Sequence, residues 1–408
     1  MRTRLRDEWP WWLGALLGVA TMSWVGLVGF AWSDYDYEVS GAFQALMRGD
    51  VTSFLAQVPA YGGSLVLRAP FAGAVAALGG GELAVFRAVS IPCLLAVAAL
   101  AVVLVRRMGA RGRSGGVRAL VLGLCVANPV TLRALDMGHP EELLGAALAI
   151  GAVLAAADRR TVPAAVLLGL AVATKAWAVL AIGPVLLALP ARRMVALAIA
   201  GMVTAAVLAP IALVGSHQTL VVGASVTGAI SHPWQLFWML GEPGHVVLGS
   251  DGMPKLGYRV PPQWLSPLTH PLIAVLVVPL SLLWARVRGG APRIGGEQVL
   301  LLLALLLLLR CVLDPWNVVY YELPFLLALL AWEALCRPER PPVLALAATV
   351  VVWMTFEQAR TQPQLLSPDM RNVVFLAWTL PLVAWLAREA FAPGARLRAR
   401  HAARTAYA

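Results

Sequence analysis

The chain has 408 residues, of which 60% are hydrophobic and only 13% are charged, and its mean hydropathy is +0.77. Soluble globular domains are about half apolar and about a quarter charged, so this composition excludes a soluble protein and indicates a polytopic membrane protein. The net charge of +11 is explained by basic loops that face an anionic inner leaflet, and no nucleic-acid partner is needed to account for it.

About twelve apolar stretches approach the roughly 20 residues that a helix needs to cross a bilayer. They lie at 11–32, 83–105, 117–135, 141–157, 162–175, 177–190, 195–214, 268–285, 298–313, 319–335, 343–357 and 373–388. Basic loops stay in the cytoplasm, and the arginine clusters between these stretches therefore place both termini inside. The clusters lie at 2–6, 106–118, 159–160, 192–193, 286–293, 337–340 and in a basic tail at 389–408. The sequence predicts one all-α integral membrane domain, residues 1–408, in the inner or plasma membrane.

The first extracytoplasmic loop, residues 33–82, begins with three carboxylates just beyond the first helix: Asp34, Asp36 and Glu38. Carboxylates at the rim of a membrane protein are costly to desolvate and are functional candidates for that reason. They suit general-base chemistry, in which one carboxylate accepts a proton from a hydroxyl group. The alternative interpretation is a solvated acidic turn in which Ser33 or Asp34 caps a helix.

Residues 64–80 in the same loop are apolar enough to span, but a span there would move the arginines at 106–118 outside. We therefore expect a helix at 64–80 that lies against the outer surface or dips into it, with 83–105 as the second span. The stretches at 162–175 and 177–190 are short, since 14 residues of helix reach only about 21 Å. They are predicted to form a hairpin whose turn, at Lys175, is recessed within the protein.

Further polar residues lie on the same predicted side as the acidic loop. They are His139, Glu141 and Glu142 at the start of a helix, His232 and Trp234 in a long extracytoplasmic loop at 215–267, and Arg310 and Tyr320 near the end of a leucine-rich span. Paired carboxylates and recessed cations on one side suit a site that handles a phosphorylated lipid and an acceptor hydroxyl. Any chemistry is therefore expected on the extracytoplasmic face.

The acidic loop has a pattern that extends beyond its carboxylates. The runs at 33–38, 42–49, 61–62 and 69–71 resemble the first loop of family-87 glycosyltransferases, which are polyprenyl-phosphate-sugar-dependent enzymes of the GT-C fold and include actinobacterial mannosyltransferases. Gly138-His139-Pro140-Glu141 is similar to the family's Gly-Gln-x-Asn element. Leu167-Leu168-Gly169-Leu170-Ala171 with Lys175 is similar to its Leu-Leu-Gly-Leu-Ala…Lys element. The family's Tyr-Pro-Pro stands here as Tyr61-Gly62-Gly63.

The resemblance implies an inverting transfer of a hexose, such as mannose, from a polyprenyl-phosphate donor to a glycolipid or polysaccharide acceptor. It also implies that an acidic residue after the first helix is the base, with Asp34 as the first candidate, Asp36 as the second and Glu38 as the third. Lys175 would bind the donor phosphate, unless it is a lysine that snorkels to the headgroups. Arg310 would be a second phosphate ligand or a salt-bridge partner of Asp314.

The other candidates each have a structural alternative. A substrate-binding role is predicted for at least one of His139, Glu141 and Glu142, although glutamates are favoured at a helix N-terminus in any case. His232 and Trp234 are predicted to line the sugar pocket, and Tyr320 to act similarly, against a role of the aromatic residues as membrane anchors. The ligand spacing indicates no zinc site. No cofactor is identified, and a divalent cation stays open.

Two other functions remain compatible with the sequence. Twelve spans with cytoplasmic termini also describe many transporters and flippases, which tend to have repeated halves and broken helices at the midplane. No internal repeat is evident, and the acidic residues cluster at the outer rim, so an enzyme is favoured. An inactive relative of the glycosyltransferases is the third possibility, because His139 and Gly62-Gly63 depart from the family's pattern.

Overall fold

The computed structural model describes residues 2–29, 33–59, 62–215, 232–248, 254–288, 296–362 and 365–392. About four-fifths of these described residues are helical, which confirms the predicted all-α class. In the described part, the one departure is a β-hairpin in the long loop at 215–267. Strand β1 (Glu242–Leu248) pairs with β2 (Pro254–Val260) in antiparallel register, with Glu242 opposite Val260. This hairpin was not predicted from the sequence.

The α-helices are numbered in chain order. The first nine are α1 (Arg2–Gly26), α2 (Ser40–Met47), α3 (Val51–Gln57), α4 (Gly63–Ala77), α5 (Glu82–Ala110), α6 (Gly115–Val126), α7 (Pro129–Asp136), α8 (Glu141–Ala157) and α9 (Thr161–Thr174). The remainder are α10 (Ile182–Ala188), α11 (Arg193–Val214), α12 (Leu265–Val275), α13 (Val277–Arg288), α14 (Leu300–Leu313), α15 (Leu323–Cys336), α16 (Val343–Thr361) and α17 (Pro368–Phe391). Short turns of 3-10 or π helix precede α2, α10, α14 and α15.

Helices occupy each of the predicted spans, and eight segments of the described chain are long and apolar enough to cross a membrane. These eight are Glu82–Ala110, Gly115–Asp136, Arg193–Val214, Pro267–Arg288, Gly296–Leu313, Val319–Cys336, Val343–Thr361 and Pro368–Phe391. The protein is therefore membrane-embedded. Helix α4 forms where a non-spanning helix was predicted, and its 15 residues make it shorter than a typical span.

Burial separates an inner group of helices from an outer one. Of the apolar 18-residue stretch in Val319–Cys336, 89% is buried, whereas only 11% of the corresponding stretch in α11 is buried. Helices α5, α8, α14 and α15 form the interior, and α11, α13 and α17 expose apolar side chains around it. Exposed apolar faces of this kind are what a helix presents to lipid. The polar side chains of the inner helix ends are therefore enclosed by protein.

The predicted cytoplasmic loops meet at one end of the molecule. Arg107 at the end of α5 binds Asp158, which follows α8, and it also binds Glu297 before α14. Arg111 binds Glu297 as well. The first turn of α8, with Glu141 and Glu142, lies at the opposite end of a helix of 17 residues, about 25 Å away. The polar groups thus collect at two separate ends, as the arginine pattern predicts.

Helices α9 and α11 pack closely because of a glycine. A Cβ atom on Gly169 would lie 2.6 Å from the carbonyl oxygen of Ala200 and 2.7 Å from Cβ of Val203. The hydroxyl of Thr204 donates a hydrogen bond to the carbonyl oxygen of Gly169 over 3.0 Å. Small residues permit this close approach in membranes, where van der Waals contact contributes much of helix association.

Gly169→Ala is therefore expected to lower stability by about 1–3 kcal/mol, because the added methyl group overlaps the backbone of α11. Gly201→Ala is the matched control, since Gly201 lies on the exposed face of α11 with open space around its Cα. Removal of a helical glycine there should stabilise by about 0.5–1 kcal/mol. Thermal unfolding in detergent measures both changes. Equal effects of the two variants would contradict the close-packing role of Gly169.

Candidate functional site

The acidic turn after α1 docks against the loop between α7 and α8. The backbone N–H of Asp34 donates to the carbonyl oxygen of Met137 over 3.1 Å. Gly138 has a φ of +87°, and a Cβ atom there would lie 2.5 Å from the backbone nitrogen of Tyr35. A side chain at this position would therefore force the two segments apart. The absence of a side chain at Gly138 thus allows Asp34 to lie beside His139, the residue after Gly138.

Two side chains contact the carboxylate of Asp34, which remains partly exposed at the protein surface. Its Oδ2 atom lies 3.0 Å from Nε2 of His139, and it accepts a hydrogen bond from the hydroxyl of Tyr320 over 3.3 Å. The rings of His139 and Tyr320 stack, with centroids 4.3 Å apart. The Asp34 side chain is 39% exposed, whereas that of His139 is only 4% exposed. The carboxylate is therefore fixed in position but accessible.

His139 bridges two carboxylates. Its Nδ1 atom lies 2.7 Å from Oε1 of Glu141, and its Nε2 atom faces Asp34. A neutral imidazole has one nitrogen without a proton, and that nitrogen would face a carboxylate with no hydrogen bond between them. Burial alone lowers the pKa of His139, but the charge of Glu141 and the hydrogen bonds to both carboxylates outweigh it and raise the pKa to about 9. His139 is therefore a cation at neutral pH.

The first turn of α8 buries two carboxylates among cations. Glu141 lies 3.0 Å from Nζ of Lys175 and 3.4 Å from Nη2 of Arg68. Glu142 accepts a hydrogen bond from the indole N–H of Trp177 over 2.8 Å. Its other oxygen has only longer contacts, 3.6 Å to Lys175 and 3.7 Å to Arg310. Both glutamates are fully buried, so these cations are what keeps the carboxylates charged inside the protein.

The direct contacts form one chain of alternating charges, which we call the ionic chain. It contains three carboxylates (Asp34, Glu141 and Glu142) and four cations (His139, Arg68, Lys175 and Arg310). The carboxylate of Glu38, which lies near Asp34 and His139, brings the formal charges of this region into balance. The Oε1 atom of Glu142 is buried without a hydrogen-bond partner in the described part of the chain. An anion that binds at Lys175 and Arg310 would meet cations whose pairing with Glu142 is loose.

A cavity of about 290 Å³ opens at the Glu142 end of the ionic chain. Helix α9 ends at Thr174, Lys175 is extended with φ −150° and ψ 133°, and a 3-10 turn follows at Ala176–Ala181. The predicted break at Lys175 is thus confirmed, and its side chain is only 10% exposed. The polar part of the cavity wall consists of Glu142, Lys175, Trp177, His270, Arg310, Asp314 and Tyr321, and the apolar part of Ala176, Val179, Leu180, Ile273 and Ala274. The cavity therefore pairs cations with an apolar wall.

The three acidic residues of the first loop are not equivalent. Carboxylate oxygens of Asp34 and Glu38 lie with a ring nitrogen of His139 within 4.8 Å of one another. Asp36 is exposed and does not belong to that cluster, because residues two apart on a helical turn point to different sides. These three ligand atoms could surround a cation, but each nitrogen of His139 already faces a carboxylate as a proton donor. A divalent metal would have to displace a proton from His139.

Two predictions for the long loop have different outcomes. His232 lies beside Trp316, with ring centroids 4.8 Å apart, and burial lowers its pKa to about 4 despite the charges of Asp314 and Asp34. It is therefore neutral and near the site. Trp234 does not offer a face to a sugar. It is buried against Phe356 and Phe375 at centroid distances of 4.7 and 6.4 Å, because the apolar indole packs better in this aromatic cluster than in water.

Of the two alternatives for Arg310, the salt bridge to Asp314 is not found, and the role as a phosphate ligand stays a prediction. Arg310 pairs with Glu142, and its guanidinium lies 4.2 Å from the ring centroid of Tyr321. Asp314, the predicted salt-bridge partner of Arg310, instead lies 3.5 Å from Nε2 of His270. Tyr320 is buried, so it neither stacks on an open sugar site nor belongs to an interfacial belt. It holds Asp34 and His139 in place.

Three further site residues, Arg68, Trp177 and His270, were not predicted from the sequence. Arg68 is 1% exposed inside the apolar helix α4, and an arginine in such a run is itself a signal of a buried partner. Trp177 and His270 carried no comparable signal, because an indole or imidazole near a helix end is common. Their roles depend on contacts with Glu142 and Asp314, which are distant in sequence.

Comparison of the sequence with known protein families and with curated proteins finds no match.

Raising the pH is expected to destabilise the protein through His139. The pKa is about 9 in the folded state against 6.5 for the free side chain, so its stabilisation is complete below pH 6.5 and is lost as the pH rises through about 9. At 1.36 kcal/mol per pKa unit, the charged His139 contributes about 3 kcal/mol to the free energy of unfolding. Thermal unfolding in detergent between about pH 6 and pH 10 measures it.

His139→Gln is the reference for this pH series, because glutamine bonds to carboxylates without a charge. The variant should be less stable than the wild type at the acid end and should approach it at the alkaline end. If the midpoints of thermal unfolding of the wild type and the variant fall in parallel as the pH rises, groups other than His139 cause the loss of stability.

Proposed function

We propose that the protein is an integral membrane glycosyltransferase of the GT-C type that transfers a hexose from a polyprenyl-phosphate donor to an acceptor hydroxyl on the extracytoplasmic face. One observation supports this proposal above the others. A partly exposed carboxylate, Asp34, connects through direct contacts to Lys175 and Arg310, which line a cavity with an apolar wall. A base, an anion site and room for a lipid chain are the components that such a transfer requires.

The cavity suits the donor. A polyprenyl phosphate sugar has an anionic phosphodiester between a sugar and an apolar chain. Lys175 and Arg310 provide charge-assisted donors for the phosphate, and Val179, Leu180 and Ile273 offer an apolar wall to the first isoprene units.

Asp34 suits the base. The acceptor hydroxyl would give its proton to the carboxylate of Asp34 as its oxygen attacks the anomeric carbon from the face opposite the phosphate. The bond between the anomeric carbon and the phosphate oxygen breaks, its electron pair passes to the phosphate, and the configuration inverts. The leaving phosphate gains a negative charge, which Lys175 and Arg310 stabilise more strongly in the transition state than in the ground state. His139 and Tyr320 are positioning residues that orient Asp34.

A transporter of a lipid-linked anion is the second candidate, and the interrupted helix at Lys175 favours it. Transporters place substrate at discontinuous helices with buried charges, and Lys175 lies extended between α9 and a 3-10 turn. A transporter moves its substrate with the sugar–phosphate bond intact. Release of polyprenyl phosphate from a labelled donor therefore distinguishes the two functions.

Asp34→Asn is expected to reduce sugar transfer about 100-fold or more, which is the usual size of a general-base contribution. Asp36→Asn is the matched control, because it makes the same chemical change two residues away on an exposed side chain. We expect it to leave the rate unchanged. The assay uses purified protein in nanodiscs, radiolabelled polyprenyl-phosphate mannose or glucose, and a total lipid extract as acceptor.

Loss of transfer in both variants, or in neither, would contradict the assignment of Asp34. If no donor is cleaved by wild-type protein with any acceptor extract, and a labelled lipid crosses the bilayer intact, the transporter replaces the enzyme as the proposed function. Gel filtration and the unfolding midpoint of each variant separate loss of chemistry from loss of fold.

Lys175→Gln is expected to weaken inhibition by the product, polyprenyl phosphate, about tenfold, because one charge-assisted contact to the phosphate is lost. Lys255→Gln, at the other lysine of the chain, is the control and should leave the inhibition constant unchanged. Equal inhibition of wild type and Lys175→Gln would remove Lys175 from the phosphate site.

A further inference from the structure

Two pairs of adjacent arginines stand at the end of the molecule opposite the candidate site. We call them the arginine platform: Arg159, Arg160, Arg192 and Arg193. All four are exposed. Arg159 and Arg160 directly precede α9, whereas Arg192 precedes α11 and Arg193 is its first residue. The platform is independent of the proposed function, since none of its residues contacts the ionic chain.

The two pairs lie side by side. Helices α9 and α11 run in the same direction. Gly169 of α9 lies beside Ala200 of α11, and further along both helices Ala173 and Leu208 lie beside the same residue of α4, Gly63. A second contact places the preceding segments together: a Cβ atom on Gly296 would lie 3.0 Å from Cα of Ala157 and 3.6 Å from the carbonyl oxygen of Ala188. The two arginine pairs therefore stand at neighbouring positions on the same end of the molecule.

The nearby carboxylates are already neutralised. Asp158 binds Arg107, and Glu297 binds both Arg107 and Arg111. Within the described ranges, no carboxylate forms an ion pair with a platform arginine. The platform thus carries four uncompensated positive charges.

The backbone conformation at two platform positions does not favour arginine. Arg159 has a φ of 62° and Arg192 a φ of 56°, and they are the two non-glycine residues of the described chain with positive φ. Glycine adopts this conformation without strain, and asparagine more readily than arginine. Both positions nevertheless carry an arginine. Arg159 follows the C-cap residue of α8, and Arg192 is the N-cap residue of α11.

Exposed apolar side chains follow the arginines at once. Val162 is 57% exposed at the start of α9, and Met194 is 75% exposed at the start of α11. A row of cations directly beside exposed apolar residues matches the boundary between lipid headgroups and hydrocarbon. We propose that the arginine platform is a binding site for the phosphate headgroups of anionic phospholipids. Two arginine pairs suit two phosphates.

The test measures thermal unfolding of the full-length protein in a neutral detergent with added lipid. Phosphatidylglycerol is expected to raise the midpoint of the wild type by about 2–4 °C, whereas phosphatidylcholine should not. The Arg159→Gly/Arg192→Gly variant should lose at least half of that shift. Its midpoint without lipid should not fall, because glycine relieves the strain at both positive-φ positions.

Two control variants and one further ligand complete the test. Arg159→Lys/Arg192→Lys retains the charge and should keep the shift, as should Arg48→Gln/Arg340→Gln, which removes two exposed charges elsewhere. A full shift in the glycine variant, or an equal shift with phosphatidylcholine, would overturn the proposal. An equal shift with inorganic phosphate would assign the platform to a free anion and overturn the lipid assignment.

Discussion

The candidate site depends on one constraint, that charge buried in an apolar protein must be neutralised by direct contact. Glu141 and Glu142 are fully buried at the start of α8, where an isolated carboxylate would lose its charge. Lys175, Arg310, Arg68 and His139 reach them from different parts of the chain. Removal of one partner from such a network costs about 3–5 kcal/mol. The ionic chain therefore fixes how α4, α8, α9 and α14 meet.

The same network links structure to chemistry. His139 belongs to the ionic chain through Glu141 and also holds Asp34 at its exposed end. The buried contacts of His139 thereby hold the partly exposed carboxylate of Asp34 in position, where an acceptor would bind. At the other end, the loose contacts of Glu142 leave Lys175 and Arg310 facing the cavity. A fixed base and a pre-assembled cation pair are what transition-state stabilisation requires.

The two ends of the molecule use arginine differently. Arg68 and Arg310 are buried and paired, whereas the arginine platform is exposed and unneutralised. Between them, α8 and its neighbours span the protein with apolar side chains. The four charges of the platform are exposed at one end, whereas the charges of the candidate site nearly balance.

The sequence by itself determined the helical class, the position of the helices, the arginine-rich end and most members of the site, because hydropathy, length and charge are local properties. Only the tertiary structure decided the partners. Arg310 pairs with Glu142, and His270 pairs with Asp314. Trp234 is buried in an aromatic cluster, and Asp36 lies outside the cluster that contains Asp34. The tertiary structure also brought Arg68 into the site. Each of these outcomes depends on contacts between distant segments, which no local pattern encodes.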